Sequence, residues 1–215
     1  MTAKSIVFAA AGGDNTPDSF NFSDQSGVNP NTVITSNTLT ITGITGAVAV
    51  SVTGGTVSIA GGSYGSSGTI QNGQTVTLRL TSSSSFNTQS SCTLTVGTVS
   101  DTWFVTTRAA DESPDAFAFT DITGAEPNTQ YTSNTVTVTG LEPNHTINIT
   151  RTAGAIDAGT SALSGTFATS KSVTTSATGT LVVAVRLTTG SGFSSTSSSV
   201  VTVGILGDTF SVTTR

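Results

Sequence analysis

Positive charge is scarce in this chain: seven Lys and Arg stand against twelve Asp and Glu, a formal net charge of −5 over 215 residues. A surface that neutralises phosphates needs clustered cations, so nucleic acid is excluded as a partner, and an anionic membrane surface with it. A single cysteine, Cys92, excludes an internal disulfide. The longest apolar run, near Ile6 to Ala11, is far too short to span a bilayer. It also lacks the long apolar core and charged flank of a signal peptide, so the expectation is a protein made in the cytosol and kept whole. The only histidine, His145, follows Pro143-Asn144 and reads as a solvated turn residue, because a general base needs an orienting partner and a nucleophile within reach. No Gly-x-Ser-x-Gly elbow surrounds the serine runs Ser82 to Ser85 and Ser194 to Ser199. The chain is therefore read as non-enzymatic.

What the chain does have is an internal echo. Pro17-Asp18-Ser19-Phe20-Asn21-Phe22 returns as Pro114-Asp115-Ala116-Phe117-Ala118-Phe119. Thr35-Ser36-Asn37-Thr38-Leu39-Thr40-Ile41-Thr42-Gly43 returns as Thr132-Ser133-Asn134-Thr135-Val136-Thr137-Val138-Thr139-Gly140, and Asp101-Thr102-Trp103-Phe104-Val105-Thr106-Thr107-Arg108 as Asp208-Thr209-Phe210-Ser211-Val212-Thr213-Thr214-Arg215. Two tandem copies of one module follow, with an arm over residues 1–13, domain 1 over 14–108 and domain 2 over 109–215. About 100 residues suffice for each to bury its own core.

Ser and Thr make up about a third of the chain and glycines number 23, yet the apolar residues keep a strand-like period that a disordered linker lacks. Phe20 and Phe22 predict a short first strand, Asp24 to Asn31 a loop, and Leu39 with Ile41 the next strand. Val48, Val50 and Val52, then Val57 and Ile59, then Val76, Leu78 and Leu80 continue the series. Cys92, Leu94 and Val96 precede a last strand through Trp103 and Val105. Asn72-Gly73 is the pair that joins a tight hairpin. Roughly seven short strands per copy, with no helical period, predict an all-β chain of two tandem antiparallel sandwiches of immunoglobulin or fibronectin type.

Several residues invite a functional reading. Cys92 alternates with Leu94 and Val96, which makes it a core residue and not a reactive thiol. Asp14, Asp18, Asp24 and Asp101 recur as Asp111, Asp115, Asp121 and Asp208, and Asp111-Glu112 stands at the domain junction. Oxygen ligands gathered there make a candidate Ca²⁺ site, although turn capping explains the same positions more simply. Arg79 and its counterpart Arg186 have the chemistry to meet an anionic ligand, but an arginine among Thr neighbours reads as solubilising and edge-protecting. The sequon matches at Asn21, Asn144 and Asn148 arise readily in so Ser- and Thr-rich a chain. Phe104 faces away from Trp103 and Val105 and has Ser211 as its counterpart, so it is expected at the interdomain contact. In the arm, Ile6-Val7-Phe8 aligns with the end of the first copy, like the last strand of a missing domain. This predicts an assembly contact through Ile6, Val7 and Phe8, donated as a strand to a neighbouring subunit.

The repeat resembles Ig-like modules found in tandem in large bacterial surface proteins and in phage virion proteins. The resemblance covers residues 14 to 215 and implies fold, surface exposure and a non-catalytic role, with no active-site residues to carry over. In the second copy Gly61 to Tyr64 has no clean counterpart, and Ala153 to Ser176 carries the insertions. The expectation is a phage virion accessory protein at the virion surface, decorating the capsid or attached to the tail. It would be oligomeric in assembly, with other virion proteins as partners and host-surface glycans as weak contacts. The alternative is a bacterial cell-surface adhesin or filament subunit.

Overall fold

β-branched residues at alternate positions, interrupted every few residues by glycine or asparagine, dictate short strands, and the computed structural model, described over residues 13–215, consists of strands and turns. The chain divides after Ala109 into two compact units. The first contains β1 (Gln25–Val28), β2 (Val33–Thr35), β3 (Leu39–Thr40), β4 (Val48–Thr53), β5 (Thr56–Ile59), β6 (Ser67–Ile70), β7 (Thr75–Thr81), β8 (Gln89–Val96) and β9 (Val99–Thr107). The second repeats the set as β10 (Ile122–Ala125), β11 (Gln130–Thr132), β12 (Val136–Val138), β13 (Thr146–Arg151), β14 (Ala155–Gly159), β15 (Ser170–Thr174), β16 (Leu181–Thr188), β17 (Thr196–Val203) and β18 (Leu206–Thr214).

In each unit two sheets face each other across an apolar core. One has the order β1-β9-β8-β4-β6, matched by β10-β18-β17-β13-β15. In the other, β7 is flanked by β2 and β3 on one side and by β5 on the other, matched by β16 with β11, β12 and β14. The cores hold Trp103, Phe22, Leu78 and Leu94 in the first unit and Phe210, Ile147, Ile149 and Leu181 in the second. This is an Ig-like sandwich twice over.

Three expectations need correction. Phe20 to Phe22 is extended but joins no ladder; the first strand is β1, inside the segment read as loop, and it pairs in parallel with β9. Phe22 is buried all the same, because its N–H bonds the Asp101 carboxylate at 2.7 Å instead of a neighbouring strand. Asn72-Gly73 makes a turn but not a hairpin, since it links β6 in one sheet to β7 in the other. Positive φ falls on Gly73 (82°) and not on Asn72, whereas the tight hairpin turn needs it at both. Each unit also carries nine strands among the described residues, not seven, because β1 and β6 are short and mostly polar and β2 is only three residues long, too few to show a period.

Candidate functional site

Carboxylates and amides recur at matching places in the two units, each spent on a backbone group or a hydroxyl. Asp101 and Asp208 accept from Phe22 N and Phe119 N, both at 2.7 Å. Asp24 accepts from Phe104 N at 2.9 Å and Asp121 from Ser211 N at 2.8 Å. Asn37 and Asn134 take Ser23 N and Thr120 N, and Asp14 and Asp111 close turns onto Thr16 N and Ser113 N. Asp18 and Asp115 each accept a threonine hydroxyl at 2.8 Å, from Thr42 and Thr139. A charge-assisted bond to a backbone N–H replaces a missing ladder partner. Among the described residues no three His, Cys, Asp or Glu side chains gather as a metal set.

Buried hydroxyls do similar work. Ser36 Oγ accepts from Leu78 N at 2.8 Å and Ser133 Oγ from Val185 N at 3.0 Å, bridging the breaks between β2 and β3 and between β11 and β12. Thr107 donates to Ser85 O and Thr214 to Gly192 O, both at 2.8 Å. Sequence reading missed these because serine and threonine were assigned to solvent faces. The presence of both serines inside the repeated Thr-Ser-Asn-Thr block was the available clue.

Cys92 is fully buried, and burial pushes its thiol up to about 11, so no thiolate forms at neutral pH. At the matching position Ser199 satisfies its hydroxyl by donating to Ala153 O at 2.8 Å and accepting from Ala153 N at 3.1 Å. His145 Nε2 lies 3.3 Å from Glu112 Oε1, a partly exposed pair at the start of the second unit. Phe104 is half-buried on β9, on the face opposite Trp103 and Val105. Ile6, Val7 and Phe8 lie outside the described residues.

Arg79 and Arg186 stand on β7 and β16, which are paired on both sides, so they do not guard an edge. The Arg79 guanidinium packs 3.8 Å from the centre of the Tyr64 ring, and that of Arg186 lies 4.0 Å from the centre of the Phe167 ring. Tyr64 therefore has a counterpart after all, hidden by the insertion. The following residues repeat too, since Gly65 bridges Val57 as Ala168 bridges Ile156. In both units a loop thus folds over the outer face of the smaller sheet.

The loop of the second unit holds the most chemically suggestive cluster. Asp157, on β14, is fully buried. It accepts from Gly165 N at 2.7 Å, from Ser164 Oγ at 2.5 Å and from Lys171 Nζ at 2.9 Å. Burial opposes its ionisation, but the bonds from Ser164, Lys171 and Gly165 prevail and hold the carboxyl below its usual value. Lys171 Nζ also reaches Ser164 Oγ at 2.5 Å. A serine beside a lysine suggests a nucleophile and its base, yet this lysine is the counter-ion of a buried carboxylate and has no free lone pair to take a proton. The cluster fastens a loop.

No family model and no curated protein matches the chain, whereas 25 solved chains do. The chain is similar to the I9-I11 tandem from titin at 11% identity and a TM-score of 0.26, covering 90% of this chain and 65% of that one. It is similar to a biofilm associated protein, BSP domain, at 11% identity and a TM-score of 0.22, covering 91% of this chain and 29% of that one. A chain named BspA_C_WT matches at 8% identity and a TM-score of 0.26, over 89% of this chain and 96% of that one. At identities and TM-scores this low the matches add nothing to what the strand topology itself shows.

Proposed function

We propose that this chain is a non-catalytic module of an assembled surface, an accessory protein of a phage virion that decorates the capsid or attaches to the tail. The observation that carries the non-catalytic reading is the duplicate use of its polar groups: the aspartates that recur between the copies are bound to backbone or to a threonine hydroxyl at the same places in both. Catalysis needs groups held out of such service and aimed at a substrate. A framework whose carboxylates are spent on turns suits display and spacing. Its contacts would be with other virion proteins, through Ile6, Val7 and Phe8 of the arm, and with host-surface glycans through exposed loops.

A cell-surface adhesin is the second reading, favoured by the parallel pairs β1 with β9 and β10 with β18. In each unit the first strand lies beside the last and runs the same way. Tension on the ends therefore loads several hydrogen bonds in shear together, which suits a tether. Immunogold electron microscopy of the native source separates the two. Gold on particle shells or tails supports the virion protein; gold confined to cell surfaces sinks it in favour of the adhesin.

A further inference from the structure

The turn that crosses from β6 to β7 contains a reactive pair. Asn72 alone among the asparagines is followed by glycine; the others precede Thr, Pro, Phe, His or Ile. A backbone nitrogen can attack the asparagine side chain just before it, and glycine, with no Cβ, leaves that approach unhindered. Asn72 and Gly73 are both exposed, so water and hydroxide reach them.

Hydrogen bonds restrain the pair. Gly73 N, the attacking atom, donates to Ile41 O at 2.8 Å. Ile41 N in turn donates to Gln74 O at 2.9 Å, and Gln74 N donates to Gln71 O at 3.1 Å. With Gly73 at a φ of 82° this is a type II turn, clamped by both backbone groups of Ile41. On the side chain, Ile44 N reaches Asn72 Oδ1 at 3.4 Å. Ile41 and Ile44 are buried in the core of the first unit. The attacking nitrogen must first lose its proton, and that proton is held by the carbonyl of a core residue. Attack therefore waits until the clamp opens.

We propose that Asn72 is a site of spontaneous deamidation, which the folded first unit holds closed and each opening of that unit exposes. Hydroxide takes the Gly73 amide proton and the nitrogen bonds to Asn72 Cγ. The Cγ–Nδ2 bond breaks, and the amide nitrogen leaves as ammonia with a proton from water, which restores the hydroxide. Water then opens the resulting cyclic imide at either carbonyl, leaving aspartate or isoaspartate. Both products add a negative charge, and isoaspartate also lengthens the backbone by a methylene, which displaces the turn from its bonds to Ile41. Converted chains are thus a permanent record of opening. The second unit makes the same crossing through Ser176 to Thr180, where Ser176 N bonds Thr180 O at 2.8 Å and no asparagine is present. The inference goes beyond the proposed function and does not depend on whether the protein sits on a virion or a cell.

Peptide mass mapping of the full chain, incubated in mildly alkaline buffer with and without an unfolding concentration of denaturant, tests it. In denaturant Asn72 should be the first asparagine converted, and in the folded protein its conversion should be at least about tenfold slower. Ile41→Val keeps the fold but loosens the clamp, and should speed the folded-state conversion about two- to tenfold. Phe210→Leu, in the core of the second unit, should leave that rate unchanged. Equal rates with and without denaturant overturn the proposal, as does another asparagine converted first in denaturant. An Ile41→Val variant that converts no faster than the wild type, or a Phe210→Leu variant that converts as fast as Ile41→Val, overturns it too.

Discussion

The loop over the smaller sheet is fastened differently in the two units. In the first, Ser58 is buried and donates to Gly62 O at 2.7 Å, and Gly68 on β6 packs beside Ile59. A side chain at Gly68 would meet Ile59 Cδ1 at 2.7 Å. In the second, three positions change together: Asp157 for Ser58, Lys171 for Gly68 and Ala158 for Ile59. The smaller Ala158 vacates the room that the Lys171 stem needs. Lysine and aspartate must arrive as a set, because either charge alone would be buried without a counter-ion. The arginine-on-ring contact is common to both loops, so the difference isolates what an internal ion pair adds to one sandwich. It adds dependence of each member on the other more than it adds net stability.

The largest effect that can break the comparison is Asp157→Ala, which strands Lys171. It should destabilise the second unit by about 3–5 kcal/mol, whereas the paired change Asp157→Ser with Lys171→Gly, which copies the first unit, should cost far less. Trp103 is the only tryptophan and reports the first unit alone, so a circular dichroism transition that moves without the Trp103 fluorescence locates the effect in the second. Equal losses for the single and paired changes would show that the pair is not coupled. Next in size is Cys92→Ser. A hydroxyl in place of this fully buried thiol puts a more polar group into the apolar core, so the first unit should lose about 1–3 kcal/mol, read by a lower denaturant midpoint of Trp103. The wild-type thiol should resist a disulfide reagent until that same transition. Removing the rings follows: Tyr64→Ala and Phe167→Ala should each cost about 0.5–2 kcal/mol in its own unit, through the lost stacking on arginine.

The smallest and most specific effect is on pH. The Asp157 carboxyl is held below its usual value of 3.8, so its contribution is fully present above that value and is lost as pH falls through its lower, folded value. The second unit of the wild type should therefore lose stability in acid relative to the same unit carrying the paired change Asp157→Ser with Lys171→Gly. A constant difference between the two across that range would refute the ionised pair.

Much of the fold was legible because tandem duplication doubles every pattern. Leu39 with Ile41 and Val76 with Leu78 and Leu80 alternate cleanly, since each strand buries one face. β1 was not legible: its sequence, Gln-Ser-Gly-Val, buries little and owes its place to the carboxylate of Asp24 and to pairing with β9. Phe20 and Phe22 misled for the converse reason, since burial alternates in any extended segment whether or not it joins a sheet. The turn-capping reading fits Asp14 and Asp111, which close onto a backbone N–H two residues ahead, but not Asp24, Asp101, Asp121 and Asp208, whose partners lie on distant segments. Asp101 reaches back 79 residues to Phe22, a distance that no local spacing reveals.

By itself the sequence determined the class, the number of units, the alternation of the core and the absence of a basic face, because these depend on composition and on periods of two. Only the tertiary structure decided which sheet each strand joins, that Asn72-Gly73 crosses between sheets, that Tyr64 and Phe167 are equivalents, and that Asp157, Ser164 and Lys171 meet. Those depend on contacts between distant segments, where insertions shift the numbering but the shape of the sandwich keeps the partners in place.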